Sequence, residues 1–418
     1  MSSNVYSISS LRIKHAEINL RARLAAYAYK PEFDGEITKA LKIYWDGLYD
    51  IADIGLMEEA DVVKTLEWYI YDYLHSRTGK TIVSMFYEDN TEALSAEEKS
   101  LLENWLRSKI CVYEICRVND DCTMLVKNLF TGRRYTVSDA STSQQSFKWD
   151  ILVGRIVSGG EELSISGVSH IYPPYYRDFI LKYLRGRYRL IKRSFPALSI
   201  SGFLKKYSFV FNYFSIYNSG LCREAWDGED NVLYDLVYEI KDEGTLASEL
   251  SAVPELSAQK GESRTICAGQ RKIPFVIYKT KVFIKGALKI EAETLKTMMA
   301  RRFKKSLAFK VEVIRKQVRT SSPGILMPIL FKKAPSSGYK KEIYDLYMKK
   351  RLECWLNTPI PQLKNKTPRQ LAGTRGGKAK MLSLVKDIEN IADRLKKTGG
   401  NGCDTGWLRK ELDIKEDA

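Results

Sequence analysis

ICVYEICRVNDDCTMLVKNLFTGRRYTV, residues 110–137, is the stretch whose reading decides the fold. Its runs Ile110–Val118, Thr123–Leu129 and Arg134–Val137 are rich in β-branched and aromatic side chains, which fit a pleated, half-buried surface. Asn119-Asp120-Asp121 and Thr131-Gly132 separate them with residues that favour turns. Two further runs of the same kind follow, Ile151–Val157 and Leu163–Val168. Five short strands in so short a span predict a small antiparallel barrel or a strongly bent sheet.

On the N-terminal side the period changes. Leu11, Ile18, Leu20 and Leu24 recur at helical spacing, and Val62, Val63, Leu66, Tyr69, Ile70 and Tyr73 share one side of a second helix. Ser95 and Glu98 form a capping box that opens a helix carrying Leu101, Leu102, Trp105 and Leu106. On the C-terminal side Pro173-Pro174 closes the β unit. Residues 175–220 read as aromatic helices. Strands are expected at Asn231–Ile240, Phe275–Tyr278, Val282–Ile284 and Lys310–Ile314, with helices at Gly244–Leu250 and about Glu293–Leu307. Pro335-Ser336-Ser337-Gly338 reads as a linker. Beyond it, helices are expected from Lys340 to Leu356, from Thr367-Pro368 with Gln370 completing a capping box, and from about Arg375 to Lys396. The fold class is therefore α+β, in four parts: a helical region over 1–109, a small antiparallel β-barrel-like unit over 110–172, a basic α+β unit over 173–334 and a helical unit over 339–418.

Composition excludes several classes. The 418 residues are 44% hydrophobic and 11% aromatic, enough to build packed cores. No apolar run reaches the length of a membrane span, and Met1–Tyr6 lacks the basic and apolar regions of a signal peptide. A cytoplasmic location without membrane partners is expected. The seven cysteines (111, 116, 122, 222, 267, 354, 403) have no paired spacing, and His15, His75 and His170 are scattered. That pattern suggests reduced thiols, no metal site and no cofactor. Phosphate-loop, dinucleotide-binding and zinc-protease motifs do not occur.

Charge is unevenly placed within a net +16. Residues 177–206 hold nine basic side chains against one acidic, and 264–319 sixteen against three, whereas 207–263 hold three against eleven. Such clustering suits a polyanion, because neutralised phosphates release counterions. Candidate nucleic-acid contacts are Arg185, Arg187, Arg189, Lys192 and Arg193, interleaved with Tyr183, Tyr188 and Phe195, and Arg301, Arg302, Lys304, Lys305, Arg315 and Lys316. The competing readings are core packing for the rings and, for the cations, a solvated helix face balanced by the acidic segment. Glu67 and Asp72, five residues apart on an expected helix, do not share a face, which argues against an acid–base pair. Asp235 with Glu239-Ile240-Lys241 mimics a short pattern of metal-dependent nucleases. No residue stands out as catalytic.

Three segments together carry a resemblance: Glu67–Tyr73 with Leu94-Ser95, Trp105, Val112-Tyr113-Glu114 and Leu129–Gly132; Gly286–Glu291 with the basic helix after it; and Trp355–Leu363 continuing through Lys366–Leu371. With Trp407–Leu412 they resemble the bacterial SEC-C-motif-containing proteins, a group of poorly defined role. The cysteine-rich zinc motif of that group is absent here, so no zinc function is carried over. The third segment is also similar to the toxin-binding module of Xre/MbcA/ParS-type antitoxins. That likeness implies a protein-partner surface at Trp355, Pro359, Pro361 and Leu363, although a purely structural use of these residues competes with it. The reading as a whole is a non-enzymatic protein that binds nucleic acid or another macromolecule. A toxin- or defence-type protein partner and a metal-dependent hydrolase are the alternatives.

Overall fold

A computed structural model of the chain describes residues 8–47, 49, 51, 54, 57, 59–159, 162–218, 232–253, 256, 264–268, 271–278, 280–316, 341–374, 376–397 and 403–414. The fold is α+β with two sheets, and the chain divides into two compact units. One unit takes residues 1–36, 63–211 and 320–418, and the other 37–62 and 212–319. Among the described residues no helix is long and apolar enough to cross a membrane. The linker expected at 335–338 lies outside the described residues.

The helices α1 (Ile8–Ala28), α2 (Glu36–Tyr44), α3 (Glu59–Tyr71), α4 (Ile82–Asn90) and α5 (Ala96–Arg107) precede the strands. The capping box of α5 forms: Ser95 accepts from the Glu98 N–H while Glu98 accepts from the Ser95 N–H. Five strands then close a barrel in the order β1-β2-β3-β5-β4. They are β1 (Ile110–Val118), β2 (Thr123–Asn128), β3 (Arg134–Ser138), β4 (Ile151–Ser158) and β5 (Leu163–Tyr172), with α6 (Ala140–Gln145) between β3 and β4. Neighbours are antiparallel except β3 and β5, which meet in parallel at Val137 and Leu163. This order, with its parallel closure and the helix after β3, is the connectivity of the OB-type barrel. Ile115 faces Val126 across the β1–β2 ladder, and both are buried with Met124 and Val137. Register shifts at Ile115/Arg117 and Val153/Arg155 bend β1 and β4 as closure requires.

After the barrel come a 3-10 turn at Pro174–Tyr176 and the helices α7 (Arg177–Ser194), α8 (Ile200–Lys206) and α9 (Phe209–Asn218). The second unit carries an antiparallel sheet in the order β10-β6-β9-β8-β7. Its elements are β6 (Val232–Ile240), α10 (Glu243–Ser251), β7 (Thr265–Ala268), β8 (Arg271–Tyr278), β9 (Lys281–Ala287), α11 (Lys289–Arg302) and β10 (Leu307–Lys316). Leu246 and Leu250 of α10 and Ala292, Leu295 and Met299 of α11 pack on Leu236, Phe275, Val282 and Ile284 of the sheet. The helix expected at 293–307 begins four residues earlier and ends five earlier. Glu291 accepts the Leu288 N–H and so starts the helix there, and the strand opens at Leu307.

The last elements are α12 (Lys341–Asn357), α13 (Pro368–Ala372), α14 (Gly377–Lys397) and α15 (Trp407–Glu411), which share one apolar core. Thr367 and Gln370 form the expected capping box at α13. The α14 helix also belongs to the barrel's surroundings. Lys386 donates to Glu114 of β1 at 2.8 Å and lies 4.2 Å above the Trp149 ring. Trp149 donates to Glu389 at 2.7 Å, and Asp150 accepts from Asn390 and Arg394 at 2.9 and 2.6 Å. Trp149 holds a φ of +75°, a rare conformation for so large a residue, anchored by its N–H on the Ile115 carbonyl at 2.6 Å.

Gly167 in β5 is required by its geometry: its φ is +67°, and a Cβ there would collide with the Glu67 carboxylate. Gly167→Ala is predicted to lower stability by about 2–4 kcal/mol, from left-handed strain plus displacement of a carboxylate bonded to Arg155. A denaturant titration of the variant checks this, and an unchanged midpoint would contradict the assigned strand geometry.

Candidate nucleic-acid interface

The α7 helix has two faces, as its 3.6-residue period dictates. Phe179, Ile180, Leu181 and Leu184 are buried. On the opposite side Lys182, Arg185, Arg189, Lys192 and Arg193 are all exposed. By helical geometry these five fall within a stripe about 100° wide and ~16 Å long. Among the described residues no carboxylate pairs with Arg185, Arg189, Lys192 or Arg193; the ion pairs of α7 involve Arg177, with Glu114 and Asp178. Arg187, also exposed, points elsewhere by the same period and lies 5.4 Å over the Tyr183 ring. The aromatics divide as well. Tyr188 donates to the Leu198 carbonyl at 2.9 Å and receives the Lys192 ammonium at 3.0 Å, so it holds the turn after α7. Phe195, at the helix end, is 52% exposed, and the Lys206 ammonium lies 5.6 Å from its ring centre.

The second cluster belongs to the other unit. Arg301 and Arg302 end α11, and Lys304 and Lys305 follow in the turn before β10; all four are exposed and have no carboxylate partner among the described residues. Cations at a helix C-terminus also complement the helix dipole, so this cluster has a structural use of its own. Arg315 and Lys316 lie on β10, opposite Leu233 and Val232 of β6. Lys296 pairs with Glu293 and Glu312 and is not available to a ligand.

Trp355 and Leu363, 5% and 2% exposed, lie in the core shared by α12–α15, while Pro359 and Pro361 are exposed. Asp235 is buried in β6 and accepts the Gly286 N–H at 2.8 Å. Glu239 and Lys241 are exposed, with Glu239 four residues further along the strand, a separation of roughly 13 Å. No group of three or more metal-binding side chains occurs among the described residues.

One dense charged constellation escaped sequence reasoning. Arg155, 1% exposed in β4, donates to Asp72, to Glu67 at 3.2 Å and to Ser108 at 3.1 Å, with Tyr71 5.2 Å from its guanidinium. Lys205 lies 3.0 Å from the other Asp72 oxygen, Ser208 donates to Asp72 at 3.0 Å, and Trp68 donates to Ser208 at 3.0 Å. Asp72 falls just past the end of α3, so helical spacing does not govern where it points; both acids reach one cation, which corrects the expectation that they diverge. Burial pushes the Glu67 carboxyl up against the pull of Arg155, and burial pulls the Lys205 ammonium down against Asp72. Burial opposes the Arg155 charge, but its two carboxylates outweigh that penalty. The group reads as a structural network, closed at Arg155 and Asp72 and reaching solvent at Lys205 and Glu67. Its sequence signal was an arginine in the apolar run Ile151–Val157.

An open cavity of about 590 Å³ is lined by Lys148, Glu389, Asp393, Lys396, Arg409 and Asp413, among others. Its charges pair with one another, Arg409 with Glu389 at 2.6 Å and Lys396 with Asp393 one turn away at 3.6 Å, so it presents no excess of either sign.

Residues 12–194 match the model of a family of unknown function, DUF7986, a span covering most of α1 through α7 and the whole barrel. No curated protein and no solved structure matches the chain.

Arg155→Met is predicted to cost about 3–5 kcal/mol, because Asp72 and the largely buried Glu67 would lose the cation that both of them reach. Combining it with Asp72→Asn and Glu67→Gln should recover much of that loss. Denaturation midpoints of the single and triple variants decide it, and a single variant no weaker than the triple would sink the account.

Proposed function

We propose that this chain binds nucleic acid through the exposed basic stripe of α7. The observation that carries the reading is the set of cations at Arg185, Arg189, Lys192 and Arg193, solvent-exposed and without carboxylate partners among the described residues. Natural surfaces usually intersperse both signs; a single-sign stripe concentrates potential and draws in a polyanion. Five cations, counting Lys182, over ~16 Å of helix also match the dense charge spacing of a phosphate backbone.

The barrel sharpens the location. In OB-type barrels ligands commonly sit against β2 and β3 and the β1–β2 and β4–β5 turns. Here Asp120 and Asp121 are exposed in the first of those turns and Glu162 in the second. Those carboxylates disfavour phosphates at the two turns, which supports α7 over them as the interface. Arg301, Arg302, Lys304 and Lys305 of the other unit supply a further attraction of the same kind.

Fluorescence anisotropy with generic RNA across a salt series tests the reading. Replacing Arg185 and Arg189 by Glu should weaken binding and reduce the slope of log affinity against log salt by about 1.4–1.8, from the loss of two phosphate contacts. Arg187→Ala, off the stripe, should leave that slope unchanged. Equal binding by the Arg185→Glu/Arg189→Glu variant and the parent chain would remove the proposal.

A further inference from the structure

Resting on that reading, we infer that the α7 surface selects unpaired strands, with Phe195 as the platform on which a base stacks. A surface built for phosphates alone has no use for an exposed phenyl ring. Phe195 is 52% exposed, and Leu190, about one turn before α7 ends at Ser194, is 55% exposed. The backbone that carries the ring is held in place. The Phe195 N–H donates to the Ile191 carbonyl at 3.1 Å, its own carbonyl accepts from the Leu198 N–H at 2.9 Å, and Pro196 restricts the turn between them. With its backbone fixed, the ring has only its two side-chain torsions to lose when a ligand covers it.

The surroundings of the ring suit that role. Lys192 lies one turn before Phe195 on the helix, and the Lys206 ammonium is 5.6 Å from the ring centre. A ring flanked by cations can take a base face while those cations take the adjoining phosphates, the combination by which single strands are held without sequence readout. A duplex offers only base edges and a backbone, since its base faces are stacked on each other. Phe195 gains nothing from it. The neighbouring rings do not compete for the role: Tyr188 is tied to Leu198, and Phe203 is buried between Tyr188 and Tyr207.

The test uses the full chain and two labelled probes at one salt concentration, an unstructured single-stranded RNA of mixed uridine and cytidine and an RNA duplex of equal total charge. The single strand should bind more tightly. Phe195→Ala should weaken it by about tenfold to a hundredfold and leave duplex binding unchanged, and Phe195→Trp should retain it. Phe195→Leu keeps apolar bulk without an aromatic face, and it should behave like the alanine variant with an unaltered melting temperature. Equal affinity for both probes with no effect of Phe195→Leu overturns the stacking inference, while the Arg185→Glu/Arg189→Glu loss would still uphold nucleic-acid binding. Failure of both probes to bind at low salt overturns both readings.

Discussion

The guanidinium of Arg155 is the constraint on which the first unit depends. It sits on a barrel strand, yet its partners come from elsewhere: Glu67 from the last half of α3, Asp72 from just beyond it, and Ser108 from the turn between α5 and β1. Asp72 in turn holds Lys205 of α8 and Ser208 just after it. A charge removed from water costs several kcal/mol unless its partners are present and well placed. The network therefore fixes the placement of α3 and α8 against the barrel more stringently than apolar packing does, because an apolar surface tolerates sliding and a hydrogen-bonded ion pair does not. Gly167 belongs to the same constraint, since the strand must leave room for Glu67.

This anchoring bears on the proposed interface. The α7 helix begins soon after the barrel's last strand, and Arg177 in its first turn reaches Glu114 of β1 at 3.6 Å. Its buried face packs through Phe179, Ile180 and Leu184, which leaves its basic face to water. A rigid helix presenting cations in fixed spacing loses less entropy on binding than lysines and arginines on a mobile loop.

Much of the architecture was legible because it rests on local signals. Five β-branched runs with Asn-Asp-Asp and Thr-Gly turns announced the barrel, and the Ser95/Glu98 and Thr367/Gln370 boxes marked helix starts. The basic run of α7 stood out by its charge, but which of its cations share a stripe needed the helix bounds. What sequence could not give is pairing across distance. Nothing in the string sets Asp72 beside Arg155, or shows that Trp355 and Leu363 turn inward to a core while Pro359 and Pro361 remain outside. Residue spacing misled at Glu67 and Asp72 for a physical reason: the helix stops at Tyr71, and its periodicity no longer applied. Closure of the barrel by a parallel contact at Val137 and Leu163 was equally invisible, since a single pairing leaves no pattern.

The bond between Lys386 and Glu114 joins residues 272 apart in the chain. During synthesis the barrel strands emerge long before α14 does, at a pace of about 5–20 residues per second. Arg177 reaches Glu114 early, but Asp150 waits through the making of residues 212–319 for Arg394, as Glu114 does for Lys386. Until then Glu114 of β1 and Asp150, just before β4, lack partners from α14, and their charge keeps them solvated and discourages adhesion to apolar chains. Docking through these charge pairs thus leaves that part of the nascent barrel polar while it is incomplete.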